Sequence, residues 1–257
     1  MPIALLVRHG RTAANTGGVL AGWTPGVGLD DTGRIQVGGL AERLAGLPVR
    51  AIVTSPLQRC QETAALLAGR LHGIPVVAED DLGECRYGAW TGRLLRDLAK
   101  DPLWRSVQDQ PSAVRFPDGQ EYPGESMAEM QLRAVRAVRR WDARVAREHG
   151  PRAVWVAVSH GDVIKAVLAD AAGTHLDHFQ RIVADPASLS AVSYTERRPF
   201  VLRTNDVGGD LASLVPAEPA GDGAGDAAGD AAGGRSDVPE GDAAVGGGPG
   251  RAAGSPD

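Results

Sequence analysis

Two short apolar runs each end in a histidine and a glycine. Residues 3–8 lead into His9-Gly10, and residues 153–159 lead into His160-Gly161. A third run, 51–55, ends in Thr54-Ser55, with Arg59 shortly after. Apolar runs this short read as buried strands. Arg8 closes the first, and a charge at the end of a buried strand is costly unless something pairs with it. Ligands in open α/β sheets bind beyond the carboxyl ends of the strands. Parallel pairing would therefore bring His9, His160, Arg8 and Arg59 to one edge. Helix N-termini meet that edge too, and their free N–H groups favour anions. Guanidinium forks match phosphoryl oxygens two at a time, so a phosphoryl group is the ligand this set implies.

The elements that must hold these residues alternate along the chain. Strands are expected at 3–8, 51–55, 74–79 and 153–159. A helix is expected over 32–47, with Thr32 as N-cap and Ile35, Leu40, Leu44 and Leu47 on its apolar side. Ser55-Pro56 reads as the N-cap and first residue of the next helix. A long amphipathic helix should end at Gly150 and a shorter one, from Gly161, at Gly173. Residues 189–196 and 199–204 read as a closing hairpin around Arg197-Arg198. Such alternation predicts an α/β fold, a three-layer αβα sandwich with a mostly parallel central sheet.

Composition bounds the rest. The chain has 257 residues and a net charge of −5. That balance argues against a nucleic-acid partner, which needs clustered excess Lys and Arg. The two cysteines, Cys60 and Cys85, have neither metal-site nor disulfide-framework spacing, and no metal-ligand cluster is visible. No leader pattern opens the chain, and no apolar run approaches the roughly 20 residues of a membrane span. A cytoplasmic protein with no membrane partner is expected. After residue 204 the composition shifts to Gly, Ala, Asp and Pro, which cannot bury enough apolar surface to offset ordering entropy. The expected layout is one domain over 1–204, with 93–123 as a lid insert, and a disordered accessory tail over 205–257. Trp104 and Phe116 in the insert are expected to pack onto the core.

Five ordered blocks resemble the histidine phosphatase superfamily, the phosphoglycerate-mutase-like fold. They are LLVRHGRTAAN, LAGWTPGVGLDDTGRIQ, VTSPLQRCQETA, LGECRYGAWTG and VSHGDVIKAVL, within residues 3 to about 204. The resemblance implies that His9 is a nucleophile forming a phosphohistidine. It implies that Glu84 is the proton donor and then the base, with Arg8, Arg59 and His160 holding phosphoryl oxygens. Gly10, Asn15 and Gly161 complete the implied substrate contacts, and no cofactor or metal is implied. Chemistry agrees with these roles. Transfer through an imidazole splits one hard step into two, and the guanidiniums should keep that imidazole neutral. Glu84 needs a raised pKa, which partial burial near Tyr87 and Trp90 would supply. One departure is Arg11, where members of the family usually carry Glu; it is expected to make the pocket rim more basic.

The expected activity is hydrolysis of a phosphomonoester on a small phosphorylated metabolite. A phosphomutase is the alternative, and a non-catalytic phospho-ligand binding protein is the alternative of another class. The Arg-Tyr-Gly after Glu84 echoes the mutases. However, mutases of the family carry a longer insert with a Lys and an adjacent Arg pair. Residues 93–123 hold Arg93, Arg96, Lys100, Arg105 and Arg115 without an adjacent pair. A binding-only descendant would tolerate loss of the five central residues, and all five are present.

Overall fold

The run IALLVR forms β1 (Ile3–Arg8), and Thr12 caps the short α1 (Ala13–Thr16). These are followed by α2 (Asp31–Leu44), β2 (Val49–Thr54), α3 (Gln58–Arg70) and β3 (Val76–Ala78). The insert supplies α4 (Leu95–Leu98) and α5 (Leu103–Asp109), before the long α6 (Met127–His149). The chain then builds β4 (Val154–Ser159), α7 (Gly161–Ala171), β5 (Leu189–Tyr194) and β6 (Pro199–Asp206). This computed structural model describes residues 2–71, 73–209, 238–239 and 241–250.

The six strands lie in the order β3-β2-β4-β1-β5-β6. The first four are mutually parallel, while β5 runs antiparallel to β1 and β6 antiparallel to β5. The register sets Arg8 beside Ser159, so β1 and β4 deliver their two His-Gly pairs side by side. His9 N donates to Ser159 O at 3.0 Å, which extends the ladder one step beyond the strands.

Alternation along β1 explains the three layers. Leu5 and Val7 join Val37, Leu40 and Leu44 of α2 and Ala64 and Leu67 of α3. Ala4 and Leu6 face the other way, into the core made with α6, α7 and the insert. Strands buried on both faces need no polar alternation, which is why these runs read as continuous apolar stretches. Each fully buried Val or Leu contributes about 1.5–3 kcal/mol.

The long helix follows its sequence signals. Ser126 Oγ accepts from Glu129 N at 3.1 Å, and Glu129 Oε2 accepts from Ser126 N at 2.8 Å, a reciprocal capping box. Gly150, at φ 82°, ends it. Other expectations need correction. Helix α2 is capped by Asp30, whose Oδ1 accepts from Gly33 N at 2.7 Å, and Thr32 lies inside it. Ile35 is 74% exposed; the stripe that packs is Val37, Leu40, Ala41 and Leu44. Ser55 does not cap α3, which starts at Gln58 without a side-chain cap. Strand β3 is a short edge with half-exposed valines.

The insert is anchored. Trp104 stacks on Trp90, with ring centroids 6.1 Å apart, and Phe116 meets Trp90 edge-on at 5.3 Å. The domain runs two residues past the expected boundary, because β6 extends to Asp206. Most of the expected disordered tail, residues 210–237 and 251–257, lies outside the described residues. Residues 241–250 depart from that expectation, for they are seated against the domain with Val245 buried. Composition misses this because one valine, the Asp242 carboxylate and four backbone groups, rather than an apolar stripe, make the seat.

Candidate active site

Strand ends, a loop and a helix start converge on one cavity. It is lined by His9, Thr12 and Asn15 after β1, Arg59 from α3 and Glu84 from the loop before the insert. The rings of His9 and His160 meet edge to face, 5.3 Å between centroids. The structure thus brings together the five residues at the centre of the sequence reading, all of them buried.

His9 Nδ1 lies 2.7 Å from Gly10 O. A carbonyl only accepts, so Nδ1 carries the proton and Nε2 holds the lone pair. Burial, then the Arg59 and Arg8 charges, hold the His9 pKa well below the usual imidazole value. The ring is neutral at physiological pH, as a nucleophile must be. His160 is depressed in the same way, by burial first and then by Arg59 and His9. Its Nε2 meets Ser55 Oγ at 2.7 Å. That contact is the task of Ser55: the residue read as a helix cap orients the second imidazole.

The two arginines are held differently. Arg59 Nη2 donates to Gly22 O at 2.9 Å. Arg8 Nη1 donates to Ala184 O at 2.8 Å and Nη2 to Gly247 O at 3.0 Å. Arg8 Nε is buried and has no hydrogen-bond partner among the described residues. A buried guanidinium with an unused donor is suited to an anionic oxygen. Asn15 is fixed through Oδ1, which accepts from Thr12 N at 3.1 Å and Thr12 Oγ1 at 2.9 Å, so its NH2 end is the part able to donate to a ligand.

Glu84 accepts from Cys85 N through Oε1 at 2.9 Å, while Oε2 lies 3.9 Å from His160 Nδ1. Burial, and then the neighbouring Asp162 charge, push its pKa up to about 7. A carboxyl so placed is protonated about half the time at neutral pH and serves as acid or base. The thiol beside His160 does not compete as a nucleophile, since burial pushes Cys60 up to about 12.

Three contributors escaped the sequence reading. Arg133 of α6 holds the Glu84 loop, with Nη1 donating to Asp81 O and Gly83 O at 2.8 Å and Nη2 to Glu84 O at 3.0 Å. Trp23 Nε1 donates to Glu84 O at 2.7 Å. Asp162 accepts from Tyr87 Oη at 2.8 Å and Lys165 Nζ at 2.9 Å. The last pair had a signal: an acid and a base three apart on an otherwise apolar helix face each other.

Two expectations change meaning. Gly10, an implied substrate contact, also has a packing task. A Cβ there would lie 2.6 Å from Gly33 O and 2.9 Å from Val37 Cγ2, so its bareness admits α2. Gly10→Ala should lower stability by about 1–3 kcal/mol through overpacking, read from denaturant midpoints. Arg11 is absent from the cavity lining. Its Nε donates to Asp30 Oδ2 at 2.8 Å, tying the loop after β1 to the cap of α2.

Away from the cavity, His175 caps the 3-10 helix Leu176–Arg181 and His149 ends α6. His72 lies outside the described residues. Among the described residues no group of three or more His, Cys, Asp or Glu is placed to hold a metal ion, and no helix is long and apolar enough to cross a membrane.

Residues 4–207 match the model of the histidine phosphatase superfamily (branch 1). A protein named as bifunctional from Mycobacterium tuberculosis is 33% identical over 207 residues, 79% of this chain and 54% of that one. The chain thus spans about half the length of the first curated relatives it matches. Phosphoserine phosphatase 1 of Hydrogenobacter thermophilus is 30% identical over 203 residues, 78% of this chain and 90% of the relative. Among solved structures, YhfR of Bacillus stearothermophilus superposes with a TM-score of 0.70 at 27% identity, covering 80% of this chain and 98% of that one.

Proposed function

Since the chain belongs to the histidine phosphatase superfamily, branch 1, we propose that it hydrolyses a phosphomonoester of a small metabolite through a phosphohistidine on His9. The observation that carries this reading is the neutral His9 ring, its Nδ1 tied to Gly10 O, beside Arg59 and the near-neutral Glu84 carboxyl.

In the first step His9 Nε2 attacks phosphorus and the ester P–O bond breaks. The leaving oxygen takes the proton of Glu84. Arg8, Arg59 and His160 hold the equatorial oxygens as charge spreads over them. In the second step Glu84, now a carboxylate, takes a proton from water as the water oxygen attacks phosphorus. The P–N bond breaks, phosphate leaves, and His9 and Glu84 return to their starting forms.

Hydrolysis is favoured over mutase action by the insert. Arg93, Lys100, Arg105 and Arg115 are each paired with a carboxylate of the domain, Arg105 with Asp109, which leaves them poorly placed to grip a second acid group. The named relative that acts on phosphoserine supports a small phosphorylated substrate. The test is a panel of phosphorylated metabolites, phosphoserine and phosphoglycerates included, scored for phosphate release and for isomerisation. Phosphate release without isomerisation is expected; isomerisation without release would overturn the reading.

A further inference from the structure

Residues 241–250 cross the mouth of the cavity, far in sequence from the domain they touch. Asp242 anchors one end: Oδ2 accepts from Trp104 Nε1 at 2.8 Å and Oδ1 from Arg105 Nη1 at 2.7 Å. Gln108 then exchanges two hydrogen bonds with the backbone of Ala243, at 2.9 and 3.0 Å. Val245 is 2% exposed and packs in the core beneath the insert. Gly246 N donates to Asp162 Oδ2 at 2.9 Å, and Gly247 O accepts from Arg8 Nη2 at 3.0 Å.

The sequence of the segment fits this seat. Gly246 and Gly247 sit at φ 77° and 83°, a region side chains rarely adopt. A Cβ on Gly247 would lie 2.8 Å from Arg8 Cζ, and one on Gly246 2.8 Å from Leu20 Cδ1. Gly161 shares the fit, for its own missing Cβ would lie 3.0 Å from Gly246 O. Val245, Gly246 and Gly247 line the cavity with His9, Arg59 and Glu84, and the space left is ≈ 20 Å³. That is room for about one water, not for a phosphoryl group.

We propose that the segment 241–250 is an intramolecular inhibitor that occupies the phosphoryl pocket and must leave before substrate enters. The proposal rests on the phosphoryl-site reading above. The chemistry makes the contact reversible. Gly247 offers Arg8 one neutral carbonyl, whereas a phosphoryl dianion offers ionised oxygens that a guanidinium fork can take two at a time. Because the segment belongs to the same chain, it meets the cavity at high effective concentration. The apparent affinity for an anion is then reduced by the fraction of molecules with the pocket open.

The test uses the full chain and orthovanadate as a phosphoryl mimic. Amide hydrogen exchange is followed over residues 241–250 with and without vanadate. Vanadate should speed exchange there; unchanged or slower exchange would overturn the proposal. In parallel, vanadate affinity is measured by calorimetry for the native chain and for Gly247→Val and Asp242→Ala. Binding tighter by about tenfold or more in the variants is expected, and a synthetic peptide of residues 238–250 should reverse it by competition. Equal or weaker binding would overturn it. Phosphoester turnover with protection of 241–250 retained under vanadate would overturn the inhibitor alone. Failure of every form to bind vanadate would overturn the phosphoryl-site reading, and the inhibitor with it.

Discussion

His9→Ala should lower kcat/KM for an aryl phosphate by about 10⁴-fold or more, because groups that act as a unit lose nearly everything when the nucleophile goes. No neighbour takes its place. Cys60 is a thiol, not a thiolate, at neutral pH. His160 Nε2 is committed to Ser55 Oγ at 2.7 Å. The loss should fall on kcat, since Arg8, Arg59 and His160 still bind the phosphoryl group. The fold should survive. Both imidazoles are neutral, and His9 makes its ring hydrogen bond to the adjacent residue rather than across the sheet. Unchanged thermal unfolding beside lost turnover checks this. A variant that retains more than a few per cent of activity would remove His9 as nucleophile.

Glu84→Gln should lower kcat by about 10²–10⁴-fold, the usual weight of a positioned acid–base group. Its pH dependence is the sharper readout. The carboxyl pKa is raised from 4.5 to about 7, by burial and then by the Asp162 charge. Below about 7 the group holds its proton and can donate to the leaving oxygen. Above it, the group is ionised, and kcat/KM falls tenfold per pH unit. His9 titrates well below 6.5, so it places no acid limb between pH 6 and 8. The native profile should therefore descend on the alkaline side alone across that range, and Glu84→Gln should flatten the descent. Asp162→Asn should move the descent to lower pH, because one of the causes of the raised value is removed. An alkaline limb that persists in Glu84→Gln would assign it to another group.

Much of this site was legible in the chain. Arg8-His9 and Ser159-His160 stand at the ends of apolar runs that only a buried parallel sheet explains, and the register sets Arg8 beside Ser159. What escaped has physical reasons. Ser55 and Pro56 satisfy the local rules for a helix start, but α3 begins three residues later, and the hydroxyl that accepts from Leu57 N at 3.3 Å also meets the buried His160 Nε2 at 2.7 Å. Ile35 keeps helical spacing yet faces solvent, since the packed stripe is set by where α2 crosses the sheet. Arg133 carries the loop of Glu84 from some 50 positions away, and no local pattern encodes that distance. The segment 241–250 is the extreme case. Its seat depends on bare glycines and backbone atoms meeting Arg8 and Asp162, contacts with no periodic signature.

The central claim is that the phosphoryl group passes through His9. Brief incubation with a labelled phosphoester, rapid quenching and peptide mapping test it directly. A base-stable, acid-labile phosphoryl group is expected on the peptide bearing His9, absent from His9→Ala. An acid-stable adduct on a serine, or a label that persists in His9→Ala, would contradict it.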